Sequence, residues 1–226
     1  QLFNFVVPTE FIDLPSQGRF YPEGHPLHNQ DTIELKHMTA REEDMLTSKT
    51  LLKKGVALER VIDSLIIDRR IKAKSLLIGD RNAVIIGMRL HAYGPEYKTT
   101  VTCPACRTKG EYTFDISQGN VYHGEEEQSV ESNGDGTFTT TLPVFKLSVV
   151  FRMLNGYDED MTNNRRKSGS ESYETNVSSI LRKMIVSVEG HTDPRAINKL
   201  VDSITSKDSR HLRNTYKKVA PNIDLT

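Results

Sequence analysis

The segment from Leu76 to Ile116 constrains this chain more than any other, because it holds a long apolar helix, a clean helix stop, a hairpin and both cysteines. Asp80 is placed to cap a helix. Val84, Ile85, Ile86, Met88 and Leu90 spread apolar side chains over more than one of its faces, the pattern of a buried helix. Gly94 supplies the left-handed residue that ends helices, and Pro95 cannot continue one. Tyr97, Thr99, Val101 and Cys103 then alternate as a strand, and Tyr112, Phe114 and Ile116 as its return. The expected unit is a central buried helix running into a β-hairpin, with Cys103-Pro104-Ala105-Cys106 at its tip.

Two cysteines separated by two residues in a tight turn can place both sulfurs on one tetrahedral metal, as in each half of a zinc ribbon. Cys103 and Cys106 are therefore the candidate metal ligands, and Zn the candidate cofactor. Zinc takes four ligands, whereas the chain has 2 cysteines. A completing pair must come from another chain, from residues outside this sequence, or from histidine. The histidines are His25, His28, His37, His91, His123, His191 and His211, and none is spaced as an evident second pair. A metal-free remnant hairpin and a disulfide are the competing readings. A thioredoxin-like redox role needs the motif at a helix start after a strand; the hairpin setting removes it.

With 226 residues the chain can bury a sizeable core, and its length allows one large domain or two small ones. Only 36% of residues are hydrophobic and 27% are charged, which favours a protein that finishes its core against neighbours over a compact enzyme. Thirty basic residues balance thirty acidic ones, so global charge gives no reason to expect nucleic acid or an anionic membrane as the main partner. The low cysteine count predicts a reducing compartment. No run approaches the roughly 20 apolar residues of a membrane span. The opening Gln1-Leu2-Phe3-Asn4-Phe5 lacks the basic start of a signal peptide, and Gln1 in place of methionine marks a processed chain or a fragment.

Four regions follow from the order of signals. Residues 1–30 read as an extended N-terminal arm: Phe3, Phe5, Val6 and Val7 run into Pro8, and a turn-rich stretch from Leu14 to Pro22 follows. The arm either wraps on its own domain or reaches a neighbouring subunit; aromatics without a local periodic partner predict the neighbour. Residues 31–95 read as helical after a short strand at Thr32–Lys36. Thr39 and Glu42 form a capping-box signature, and Leu58, Val61, Ile62, Leu65 and Ile66 lie on one helical face.

Residues 96–154 read as antiparallel β structure that includes the CxxC knuckle, an acidic loop with Glu125, Glu126, Glu127, Glu131 and Asp135, and strands at 138–141 and 147–153. The loop lacks the alternating oxygen ligands of an EF-hand. A polar boundary over 155–171 opens the C-terminal helical region, 155–226. There Tyr173, Val177, Ile180, Leu181, Met184 and Val188 form one stripe stopped by Gly190, and Asp193-Pro194 starts another helix. The predicted fold class is α+β: mainly helical, with a small antiparallel sheet carrying a CPxC zinc-ribbon-like hairpin, and a C-terminal helical segment. Seven Lys or Arg against two acids between Arg195 and Lys218 suit a solvated helix face or an acidic partner.

No phosphate-cradling GxxxxGK[ST] loop, GxGxxG turn, GxSxG elbow or HExxH helix occurs. No stacking platform of interleaved aromatics and bases is visible, and tryptophan is absent. The motifs do not predict an enzyme.

Several landmarks recur in a familiar order. Pro15-Ser16-x-Gly18 with Phe20-Tyr21-Pro22 comes first, then Met38-Thr39 with Glu42-Glu43. Leu76-Leu77-x-Gly79-Asp80-Arg81 follows, then Arg89 with Tyr93-Gly94, Cys103-Pro104-x-Cys106, and Pro221-Asn222-Ile223-Asp224-Leu225. The succession resembles the baseplate hub protein family of T4-like contractile-tailed bacteriophages, over most of the chain and least in the 120–170 region. The resemblance implies a late, non-enzymatic structural or assembly protein of the tail baseplate, built into the virion after assembly in the host cytoplasm. It implies other baseplate and tail proteins as partners, with multiple copies in a symmetric assembly and no small-molecule substrate. In that family a second cysteine-containing segment can follow the stretch matching Pro221 to Leu225. This sequence stops there, which leaves the metal set incomplete. The alternatives are a zinc-ribbon nucleic-acid-binding accessory factor, marked by strongly salt-dependent DNA affinity, and an assembly chaperone absent from the mature particle.

Overall fold

Alternating apolar residues at both ends of the turn-rich N-terminal stretch pair into the first sheet. Strand β1 (Thr9–Asp13) runs antiparallel to β2 (Thr32–Lys36), with Ile12 opposite Ile33, and Ile12, Ile33 and Leu35 are buried. The computed structural model describes residues 6–124, 130–159 and 177–224. Phe3, Phe5, Glu125, Glu126, Glu127, the polar stretch over 160–171, Tyr173 and Leu225 lie outside them. Between β1 and β2 the chain makes successive tight turns and buries Leu14, Ser16, Tyr21 and Leu27. Gly18 is needed there: its φ is +70°, and a Cβ would lie 2.3 Å from Gln30 N and 2.4 Å from Leu27 O. This stretch therefore packs into the chain's own core, where its apolar residues find partners distant in sequence.

Three helices follow: α1 (Ala40–Thr47), α2 (Lys49–Lys54) and α3 (Ala57–Leu65). Glu42 reaches back to the Thr39 N–H as the capping box requires, and α3 buries Val61, Ile62 and Leu65 as the periodicity predicts. Helix α4 (Ile78–Tyr93) is the longest of the described helices. Its buried positions are Gly79, Asp80, Ala83, Val84, Gly87 and Met88, a single stripe at three- and four-residue spacing. Ile85, Ile86 and Leu90 are half-buried, so the helix is not enclosed on all sides. Leu77, and not Asp80, occupies the capping position.

Beyond α4, β3 (Glu96–Thr102) and β4 (Lys109–Asp115) form the expected hairpin. Strand β5 (Asn120–Tyr122) pairs with the late strand β10 (Asn222–Asp224). A four-stranded antiparallel sheet, in the order β6-β7-β8-β9, joins Val130–Ser132, Thr137–Thr141, Ser148–Arg152 and Ile185–Val188. Helices α5 (Val177–Met184), α6 (Pro194–Ser203) and α7 (Ser206–Val219) complete the described elements. One apolar cluster runs from Ile12 and Leu14 through α3 and α4, the four-stranded sheet and α5–α7 to Val219.

This architecture corrects the predicted fold class. The chain is not mainly helical: the described residues include ten strands in four antiparallel sheets. The stripe predicted to run helically to Val188 breaks after Met184. Ile185, Val186 and Val188 are β-branched and extend the sheet beside β8, where burial on a pleated surface outweighs helix continuation. The CPxC hairpin is a two-stranded sheet of its own and not part of β6–β9, and no zinc ribbon is shown. A ribbon needs a second ligand-bearing turn facing the first.

Candidate functional site

The hairpin leaves α4 through Gly94, which has φ +78°, and Pro95. The Ile116 N–H donates to Pro95 O at 3.0 Å, and the Arg89 guanidinium lies 4.9 Å from the Tyr93 ring and 5.9 Å from the Tyr97 ring. These contacts fix the hairpin's root. Pairing of Tyr97 with Phe114, Thr99 with Tyr112, and Val101 with Gly110 puts the larger apolar side chains on one face. That face is open: Tyr97 is 45%, Val101 43%, Tyr112 55% and Phe114 48% exposed. Lys98, Thr100, Glu111 and Thr113 occupy the opposite face.

The tip is a tight knuckle. The Cys103 N–H donates to Thr108 O and the Arg107 N–H to Cys103 O, each at 2.9 Å, with Arg107 left-handed at φ +58°. Cys103 and Cys106 are brought together, 3.5 Å apart, as free thiols, with Cys106 exposed. The Cys106 thiol donates to Thr108 Oγ1 at 3.3 Å, and its contacts with the Thr108 side chain and backbone and with Cys103 hold it down at about 7. Six of the seven histidine side chains are engaged elsewhere. His25 contacts Ser75, His28 contacts Tyr21 O, His123 contacts Pro15 O and His211 contacts Thr140. His37 and His91 both reach Glu10, fastening β1 to the last turn of α4. His191 closes a turn with Val188 through its backbone. Among the described residues, no group of three or more His, Cys, Asp or Glu side chains could hold a metal ion.

A second site was not visible as such in the sequence. Asp80, fully buried, accepts from Ser16 N (2.9 Å), Ser16 Oγ (2.6 Å) and Tyr21 Oη (2.8 Å). Ser16 Oγ in turn accepts from Gly18 N at 3.1 Å, and Tyr21 Oη from Leu77 N at 3.1 Å. One carboxylate thus fastens the 14–21 turns to the first turn of α4. Burial pushes the Asp80 carboxyl up and outweighs the hydrogen bonds from Ser16 and Tyr21 that pull it down. The signal lay in the two motifs Pro15-Ser16-x-Gly18 and Gly79-Asp80-Arg81, but their contact is long-range and carries no periodicity.

Glu42 is also fully buried. Burial raises its carboxyl, but hydrogen bonds from Thr39 Oγ1 (2.5 Å), Thr39 N and Ser64 Oγ, with the Lys36 ammonium, more than offset this and hold it at about 2. A depressed folded value stabilises the protein above the unfolded value, and that stabilisation is lost as pH falls through the folded one. Glu42→Gln is expected to lower stability at neutral pH by about 2–3 kcal/mol. It should also remove that share of the acid destabilisation between pH 4.5 and about 2, as read by urea melts across that window.

A family model described as T4 bacteriophage base plate protein matches residues 8–226. The chain belongs to that family. No curated protein and no solved structure matches it. The matched span takes in β1, the Asp80 node, α4, the cysteine hairpin and β10, so these features lie within the baseplate protein's family-defining length. Membership places the baseplate protein in the virion tail, among other tail and baseplate proteins, in a structural role. No helix among its described residues is long and apolar enough to cross a membrane.

Proposed function

We propose that this protein is a non-enzymatic structural component of the baseplate hub that works through protein–protein contacts, with the β3–β4 hairpin as its main contact surface. The open aromatic face of that hairpin carries the reading. A two-stranded hairpin is marginal in water by itself, and this one directs Tyr97, Val101, Tyr112 and Phe114 to solvent. Covering each of these side chains with a neighbouring baseplate subunit would stabilise the joint by about 1–2 kcal/mol. The hub placement, several copies in a symmetric assembly, late production and assembly in the host cytoplasm rest on family membership and on the ordered motifs.

The test is a Tyr112→Ser, Phe114→Ser double variant supplied to a phage lacking the native protein. The pair does not belong to the core cluster, so the melting temperature is expected to stay within about 2 °C of wild type. Incorporation into purified tails, read by immunoblot, should fall at least about tenfold, the equivalent of about 1.4 kcal/mol lost at the joint. Normal incorporation of the variant would remove the hairpin as the contact surface. Absence of the wild-type protein from finished tails would replace the structural role with that of an assembly chaperone.

A further inference from the structure

We propose that Cys103 and Cys106 are a redox-sensitive pair, held as two thiols inside the reducing host and closed into an intrachain disulfide once the tail stands outside it. The first support is geometric. The two cysteine side chains stand 3.5 Å apart as free thiols, already in van der Waals contact. The Arg107 N–H to Cys103 O bond closes a turn around Pro104, Ala105 and Cys106. Such turns bring residues three apart within about 7 Å at Cα, the separation at which a disulfide forms without moving the backbone. The left-handed Arg107 and the bond from Cys103 N–H to Thr108 O hold that turn in place.

The second support is access. Cys106 and its neighbours from Pro104 to Lys109 are exposed, whereas Cys103 is half-buried. An incoming disulfide therefore meets Cys106 first, and Cys103 stands beside it as the resolving thiol. Arg107 and Lys109 add positive charge next to the pair, which draws anionic reagents such as oxidised glutathione. The third support is compartment. Family membership puts the chain in the virion tail, and virion surfaces are among the places where disulfides form and persist, unlike the cytosol. The pair is a substrate of thiol–disulfide exchange and not a catalyst of it, in keeping with its hairpin setting.

The exchange balances with a small-molecule disulfide as oxidant. The Cys106 thiolate attacks one sulfur of the reagent, forming a mixed disulfide and releasing one thiolate. The Cys103 thiolate then attacks Cys106 Sγ and releases the second. Two protein thiols are oxidised, one reagent disulfide is reduced, and the two released thiolates take up the protons that the cysteines lose. Closure removes the Cys106 donor from Thr108 Oγ1 and ties the two strand ends together across the tip. It leaves the aromatic face of the hairpin untouched, so the inference does not depend on the hairpin-face contact and is tested with different variants.

The full chain, reduced and then freed of reductant, is exposed to oxidised glutathione at neutral pH. Samples are trapped with N-ethylmaleimide in denaturant and weighed by mass spectrometry. The expected product is monomeric, carries neither maleimide nor glutathione, and recovers both thiols with dithiothreitol. Cys103→Ser should stop at the mixed disulfide on Cys106, and Cys106→Ser should react at least about tenfold more slowly than wild type. Both variants should keep the wild-type melting temperature, since both side chains lie outside the core. The same trapping applied to infected cells before lysis and to released particles should find the pair alkylated in the first and closed in the second. Stable glutathione adducts on the wild type, disulfide-linked dimers, no reaction, or exchange that begins only after a chelator is added would each overturn the inference. An identical state of the pair in cells and in particles would overturn it equally.

Discussion

Asp80→Ala is expected to destabilise the protein by about 3–5 kcal/mol, because it strands three buried donors at once. Ser16 N, Ser16 Oγ and Tyr21 Oη all point at that carboxylate, in a space closed to water. The measurement is a urea midpoint with its slope. A lowered midpoint at constant slope indicates a lost interaction, whereas a changed slope indicates that the 14–21 turns have come free. Tyr21→Phe removes one bond to Asp80 and leaves Leu77 N–H without its acceptor, and should cost about 1–3 kcal/mol. Combined with Asp80→Ala, its cost should shrink, since both changes disable one network. A loss below about 1 kcal/mol for Asp80→Ala would mean that the 14–21 turns are held by packing alone.

The pH dependence of this node has the opposite sign to that of Glu42. A carboxyl whose folded value is raised is fully tolerated below its unfolded value near 3.9 and costs stability as pH rises through the folded one. The advantage of wild type over Asp80→Asn is therefore expected to be largest in acid and to shrink as pH rises above about 4. Urea melts of the two proteins from acid to neutral pH measure the difference directly.

The second large effect is expected at Gly79. A Cβ there would lie 2.0 Å from Pro221 O and 2.8 Å from Pro221 C, backbone atoms that cannot rotate away. Gly79→Ala should push the 221–224 segment off α4, unpair β10 from β5, and cost about 2–4 kcal/mol. Hydrogen exchange reads this locally: amides of Asn120–Tyr122 and Asn222–Asp224 should lose protection while those of α3 keep theirs. Gly24→Ala is the control. It has φ +87° but open space around it, so it reports backbone strain alone, about 1 kcal/mol.

What the sequence showed was mostly local. The stop at Gly94 and Pro95, the alternation that pairs Tyr97 with Phe114, the capping box at Thr39 and Glu42, and the Asp193-Pro194 helix start each depend on a few neighbouring residues. The cysteine knuckle was legible for the same reason. The misread features were non-local. Asp80 has the spacing of a cap, and only the approach of Ser16, 64 residues earlier, turns it into a buried anchor. Met184 and Val188 share a helical stripe, but β8 is available to pair with Ile185–Val188, and burial on the sheet decides. Strand β10 is three residues long and has no pattern of its own without β5.

In mechanical terms α4 is a strut. Its 16 residues span about 24 Å along one axis. At one end the chain passes directly into the projecting hairpin; at the other, the Ser16–Tyr21 turns and the Pro221 segment both grip the first turn. A pull or twist applied to the hairpin tip therefore travels in line along the helix and is spread over two separate stretches of chain. Such a load is first resisted at Gly94-Pro95, where the Arg89 stack, the Arg89 hydrogen bonds to Gly94 O and Glu96 O, and the Ile116–Pro95 hydrogen bond tie the hairpin's root to the helix.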